Sequence, residues 1–265
     1  MSPEAILAQF GQQQAIAFVL VLARISPLFL LAPLFSSKLL LARAKGIVAV
    51  GLALGIAPIA ANAGDGAVLP TGVLELGGLV VKEMLVGMGF AFALAALFAA
   101  IQVAGNLIDT LIGFSFGALV DPVSGTNGGV LNQLYALVGV MIFVVIGGDA
   151  WVIQGLARSY EQIPLADAPA IGSLVEGAQV AFSGIFASAI QVCAPVLIAV
   201  VLCDVAFGLV NKVVPQLNVF AVGFPAKVTI GLILVGASLP FVAGWLSDEM
   251  QASVTAALRT LRVDG

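Results

Sequence analysis

Five residues near the middle of the chain, Gly113-Phe114-Ser115-Phe116-Gly117, fit G-x-S-x-G, the turn on which hydrolases display a nucleophilic serine. A serine attacks only when a base takes its proton, and that base is most often histidine. The chain contains no histidine. A serine–lysine pair would need Lys82 or Lys212, and no strand–turn–helix pattern surrounds the motif. The same five residues make better sense as a flexible loop. Its glycines permit unusual backbone angles, and its two phenylalanines can fill a hole.

The second set of chemically capable residues comprises charges set in apolar sequence: Lys82, Glu83, Asp109 and Asp204. Charges in such surroundings are costly and mark pairs, cavities or pathways. One reading is an ion or proton path through Glu83, Asp109 and Asp204. The other is a set of buried inter-helix pairs that fix the assembly, and the absence of a repeated acidic pattern favours it. Lys82 and Glu83 are adjacent, so on a helix they point about 100° apart and need not pair with each other. Cys193 and Cys203 lie in apolar sequence without CxxC or metal-ligand spacing, which predicts free thiols and no metal. No G-x-x-x-x-G-K-[ST] phosphate loop is present, and no basic run suggests nucleic acid. No cofactor is expected.

The elements that must position these residues are membrane helices. Of 265 residues, 61% are hydrophobic and 9% charged, and the mean hydropathy is +1.17. Soluble domains carry about 25% charged residues, so most of this chain must face lipid or other apolar protein. The sequence predicts an all-α membrane protein with about six hydrophobic segments, at 15–35, 46–61, 73–104, 134–146, 178–203 and 228–246. The whole chain, 1–265, reads as one membrane unit with a short amphipathic tail at 247–265. Its first residues, with Glu4 and a glutamine cluster at Gln9, Gln12, Gln13 and Gln14, do not read as a cleaved secretory signal.

The pattern is irregular. Arg24, Pro27 and Pro33 interrupt the first segment, the second ends near Pro58, Pro195 breaks the fifth, and Pro240 lies near the end of the sixth. The third is too long for one simple span. The stretches 105–132 and 204–227 are less apolar, and 149–176 is the most water-compatible. Lys38, Arg43 and Lys45 place the first loop in the cytoplasm by the positive-inside rule, yet six simple spans would leave Arg259 and Arg262 outside. The conflict implies that some segments are not simple spans. Gly51–Gly55 and Gly113–Gly117 have small-xxx-small spacing, a weak signal in a chain with 30 glycines.

Lys82-Glu83 followed by Gly87 and Gly89, then Ala104-Gly105-Asn106-Leu107-Ile108-Asp109, resembles the middle of the FliR family of flagellar and type III secretion export-gate proteins. Gly113-Phe114, Asp121-Pro122 and Gly125 continue the pattern. The most specific part is Pro215-Gln216-Leu217-Asn218-Val219-Phe220 followed by Gly223-Phe224-Pro225-Ala226-Lys227. The resemblance covers nearly the whole chain. One departure is Gly147-Gly148-Asp149, where members of that family often carry histidine after paired glycines.

The resemblance implies a non-enzymatic export-gate subunit of the bacterial inner membrane and flagellar basal body, sitting partly above bilayer depth. Its expected partners are FliP and FliQ, with FlhB and FlhA on the cytoplasmic side and unfolded export substrates in a central conduit. The segment 113–125 is expected to plug that conduit, with Gly113, Phe114, Ser115, Phe116, Gly117, Asp121 and Pro122 as its residues. The block of Pro215, Gln216, Asn218, Phe220, Gly223, Phe224, Pro225 and Lys227 is expected to shape and assemble the complex, with Asn218 satisfying backbone groups that the prolines free. The alternatives are the equivalent subunit of a virulence secretion system, a secondary transporter or an intramembrane serine protease. A transporter would show paired broken helices in its two halves, and no internal repeat is visible.

Overall fold

The computed structural model describes residues 3–32, 41–63, 69–114, 129–165, 167, 170–216 and 218–260. Among them are seven helices and no strand: α1 (Pro3–Leu31), α2 (Ala42–Ala63), α3 (Val73–Ile112), α4 (Val130–Val145), α5 (Gly148–Gln162), α6 (Ile171–Val213) and α7 (Val219–Thr260). Five are long and apolar enough to cross a bilayer, or six if α4 and α5, broken at Gly147, are one span. The all-α membrane class and the number of segments agree with the sequence.

The helices outrun the hydrophobic segments that announce them. α3, α6 and α7 have 40, 43 and 42 residues, and their helical hydrogen bonding continues through the less apolar flanks at 105–112, 204–213, 219–227 and 247–260. Hydropathy measures transfer cost, whereas a helix persists wherever its polar side chains find partners. At about 1.5 Å per residue, each of the three is about 60 Å long, roughly twice the hydrocarbon core. At the usual tilts of about 0–40°, each extends past that core.

Prolines do not end these helices. Pro58 lies inside α2 and Pro195 inside α6, where the sequence suggested an end and a break. Pro225 and Pro240 lie inside α7. Pro27, inside α1, shows how the cost is met. Proline lacks the N–H that would bond the carbonyl four residues back, here that of Ala23. The Ser26 hydroxyl donates to that carbonyl at 2.9 Å, replacing the missing bond within the helix.

The chain divides into two compact units. The first comprises Met1–Ala96, Gly147–Phe182 and Met250–Gly265, and the second Leu97–Ile146 and Ser183–Glu249. In the first, α2 packs against both α1 and α5, and the core includes Leu20, Val21 and Ile25 of α1, Ala53 and Ile56 of α2, and Val152 and Leu156 of α5. The water-compatible stretch after residue 148 is therefore an amphipathic helix. Arg158 and Glu161 face outward while Ser159 and Tyr160 are buried. Gln13 joins α1 to the segment before α3. Its amide accepts the Leu69 N–H at 2.9 Å and donates to the Leu69 carbonyl at 3.1 Å.

Close helix approaches occur at glycines other than Gly51 and Gly55, while Gly117 of the second pair lies outside the described residues. Gly51 and Gly55 are exposed, with nothing near the position of an added Cβ. In the first unit Gly87 lies directly on the main chain of Arg24, and in the second Gly105 lies on that of Leu131 and Asn132. Neither contact is visible in a one-dimensional spacing.

Candidate functional site

Among the described residues, the first unit holds a buried polar centre built on Arg24. The side chain is fully buried, so each of its donors needs a partner. Nε bonds the Glu83 carboxylate of α3 at 2.5 Å. One terminal nitrogen donates to Ser159 Oγ of α5 at 3.1 Å, and the other to the Ile163 carbonyl just past α5 at 3.0 Å. The Ser159 hydroxyl donates onward to the Leu156 carbonyl at 2.6 Å. The guanidinium lies 3.9 Å from the centre of the Tyr160 ring, where the ring face attracts a cation. Only a planar, five-donor group can serve all these partners at once. The spacing of Glu83 and Gly87 now has a cause. Four residues apart on one face of α3, the glycine admits the α1 backbone and the carboxylate receives its arginine.

In the second unit Asp109 is 1% exposed. Its two oxygens accept the N–H groups of Leu131 and Asn132 at 3.0 and 2.8 Å. These are the second and third residues of α4, whose N–H groups have no partner inside the helix. The residue before α4 is Gly129, which has no side chain to cap it, so Asp109 supplies the cap from α3. A carboxylate there also suits the positive end of the helix dipole. Gly113, next after α3, has φ 101°, a backbone conformation suited to glycine at a helix end.

The same unit contains residues 183–213 of α6 and 219–249 of α7, which form a hairpin. Pro215 follows the end of α6, where proline commonly stands. Asn218 caps α7, its side-chain oxygen accepting the Ala221 N–H at 3.1 Å. Lys227 and Asp204 pair across the hairpin at 2.8 Å, Trp245 donates to Gln191 at 3.2 Å, and Gly223 faces the Phe207 ring. Asp204 is not a buried charge in this chain: it is 52% exposed, against 18% for Lys227. Its carboxylate keeps Lys227 as a partner while about half of the side chain stays open at the surface of the hairpin. Both helices have large apolar exteriors. Only 22% of the most apolar stretch of each is buried, against 56% for α3.

Of the residues that sequence singled out, Glu83 and Asp109 are buried and bonded, Lys82 is half-buried, and Lys82 takes no part in the arginine centre. Glu83, Asp109 and Asp204 each bond a different partner on another helix. Within the plug segment, Gly113 is buried and Phe114 half-buried. Ser115, Phe116, Gly117, Asp121, Pro122 and Gly125 lie outside the described residues, as does Leu217. Gln216, Phe224 and Pro225 are exposed, and of Phe220 only its helical backbone is described. Asp149 is exposed in the first turn of α5, after Gly147 in the left-handed region at φ 71°. Both thiols are free, and no metal-ligating cluster occurs among the described residues. Arg24 is the residue that sequence reasoning passed over, noting it only as an interruption. A lone cation in an apolar segment needs a partner, and that was the available signal.

Comparison with known proteins gives a consistent picture. The family model described as bacterial export proteins, family 1, matches residues 15–253. The flagellar biosynthetic protein FliR of Escherichia coli (strain K12) is 30% identical over 222 residues, covering 84% of this chain and 84% of that protein. The FliR of Bacillus subtilis (strain 168) is 31% identical over 226 residues, covering 83% and 84%. The secretion system apparatus protein SsaT of Salmonella typhimurium is 28% identical over 165 residues, covering 62% and 64%.

Proposed function

The chain belongs to family 1 of the bacterial export proteins, and from that membership we propose that it is a structural and gating subunit of the flagellar type III export gate. It helps to form and close the conduit for unfolded flagellar substrates, in the inner membrane at the basal body. The observation that carries this reading is the similarity to flagellar relatives over 84% of both chains. The equivalent subunit of a virulence secretion system is the second reading, favoured by the similarity to SsaT, which spans a smaller share of each chain. Deleting the gene from its host and assaying secreted flagellar proteins tests the first. Loss of their export, restored by the gene in trans, is the expected result; undiminished flagellar export would move the assignment to the second.

Its action is mechanical. FliP and FliQ are its proposed partners in the gate core, with FlhB and FlhA at the cytoplasmic side. The exposed apolar faces of α6 and α7 support burial against sister helices, since a charge pair such as Asp204–Lys227 is a poor neighbour for lipid. The block from Pro215 to Lys227 sets the hairpin's shape. An alanine at Gly223 would meet the Phe207 ring at ordinary contact distance, its Cβ 3.4 Å from the nearest ring atom, whereas Gly223→Trp must displace that ring. We expect G223W to lose co-purification with FliP and FliQ while G223A retains it; normal recovery of G223W would contradict the role.

Segment 113–125 serves as the resting plug. Phe114 and Phe116 exclude water by filling the conduit, and Gly113, Gly117 and Gly125 let the segment move. Removing residues 115–128 behind a short glycine–serine link is expected to make resting cells leak small ions. Unchanged leakage from a fully assembled complex would defeat the plug.

A further inference from the structure

We infer that Gln102, Asn106 and Thr110 of α3 form a water-facing wall along which unfolded export substrates pass. The assignment rests on the conduit reading above and deepens it, naming a surface and the chemistry that it offers to a passing chain.

The three residues are spaced by four, so they stand one above another on a single face of the helix. All three are exposed. The remaining polar residue between 91 and 112, Asp109, is turned inward onto the start of α4. The rotation that sends the stripe outward is fixed by fit. On the inward side Ile101 packs on Gly139, Gly105 on the Asn132 main chain, and Ile112 on Gly231 of α7, while Ala104 and Ile108 are fully buried. Turning α3 towards α4 by one residue, about 100°, would drive both amides into this apolar contact and take Asp109 off its N–H groups.

Such a face is unsuited to lipid, where an amide finds no water to bond. The Thr110 hydroxyl donates to the Asn106 carbonyl at 2.9 Å, but the Gln102 and Asn106 side-chain amides have no partner among the described residues. The outer faces of α6 and α7 in the same unit are different. There Ile190, Ile198, Leu202 and Ile233 are exposed, while Gln191 pairs with Trp245 and Asp204 with Lys227. The stripe's chemistry fits a polypeptide that travels unfolded, since its main chain offers an N–H and a C=O at almost every residue. A side-chain amide accepts from the one and donates to the other. The stripe carries no charge, so it holds neither acidic nor basic segments. At about 6 Å per four residues of helix, it repeats weak contacts over about 12 Å, from which a passing chain can leave as readily as it enters.

The test uses the assembled export complex, loaded with a flagellar substrate fused to a tightly folded domain that halts it midway. The photo-crosslinker benzoylphenylalanine replaces Gln102, Asn106 or Thr110 in turn, then each other exposed residue of α3, α4, α6 and α7. Adducts with the halted substrate are expected at all three positions of the stripe, and none at Ile190 and Ile198 on the apolar exterior of α6. Adducts of the stripe with a sister membrane subunit would make it a subunit contact and overturn the inference. So would substrate adducts at Ile190 and Ile198 as strong as those at the stripe. If the substrate is captured elsewhere, at Leu134 or Leu137 of α4 for instance, but not at the stripe, the inference fails and the conduit reading stands. Capture at no exposed position removes both. Where the bulky probe prevents assembly, cysteine at the same position with a short thiol crosslinker replaces it. That variant carries Cys203→Ala, since Cys193 is already buried.

Discussion

Replacing Arg24 with methionine is expected to destabilise the folded chain by about 3–5 kcal/mol, the usual cost of breaking a buried ion pair from one side. The loss comes from what remains behind. Glu83, 2% exposed, would keep a charge with no partner, and the Ile163 carbonyl would lose its donor. Ser159 would suffer less, because its hydroxyl still donates to the Leu156 carbonyl. Glu83→Leu alone is expected to cost a similar amount by stranding the guanidinium. The double variant, Arg24→Met with Glu83→Leu, should recover most of the loss, since two apolar side chains need no partners. Recovery should stop short of wild type because the Ile163 carbonyl stays unbonded. Arg24→Lys is intermediate: it keeps the charge but lacks the planar fork that reaches three partners and stacks on Tyr160. Thermal unfolding of the detergent-purified chain, read by loss of the monodisperse peak, ranks the four variants. A double variant as unstable as the sum of the singles would refute the pairing.

The arginine centre marks how far the sequence could be read. That Arg24 needs a partner follows from its apolar setting alone. That the partner is Glu83 does not, because 59 positions separate them and the same helix offers Glu75 and Asp109 as other carboxylates. The helical class was legible because 61% apolar content admits little else. Helix extents were not, because the ends depend on Asp109 and Asn218, and continuation past Pro27 on Ser26, supplying hydrogen bonds that hydropathy does not measure. Asp204 was misplaced for the same reason. An acidic residue in an apolar run implies a partner, and Lys227 is one, but a partner can sit on the outside of a hairpin as well as between its helices. The Gly113–Ser115–Gly117 motif was discounted as catalytic because the chain has no histidine base, and its serine lies outside the described residues. The motif spacings carried the family, and geometry supplied their reason only at Glu83–Gly87 and Asp109.

Gly87 carries the second large effect. Gly87→Ala in an exposed helix would stabilise by about 1 kcal/mol, since alanine is the better helix former. Here the sign should reverse. An added Cβ would overlap the Arg24 main chain, with its carbonyl carbon at 2.8 Å and its Cα at 3.1 Å, and a main chain has no rotamer to escape into. α1 must back away from α3, and the guanidinium must leave its three partners with it. Overpacking alone costs about 1–3 kcal/mol, and the disturbed pair adds to it, so a loss of about 3 kcal/mol or more is expected. Gly77→Ala and Gly78→Ala are the controls, because on the same helix nothing lies within 4 Å of their added Cβ. They should be neutral or stabilising. The coupling can also be measured, since contacting sites do not add. On the Arg24→Met, Glu83→Leu background, Gly87→Ala should cost less than in wild type, because only the overlap remains and no ion pair is left to misalign. Equal costs on the two backgrounds would mean that the glycine serves helix packing alone, and that the four-residue spacing from Glu83 has no part in holding the arginine.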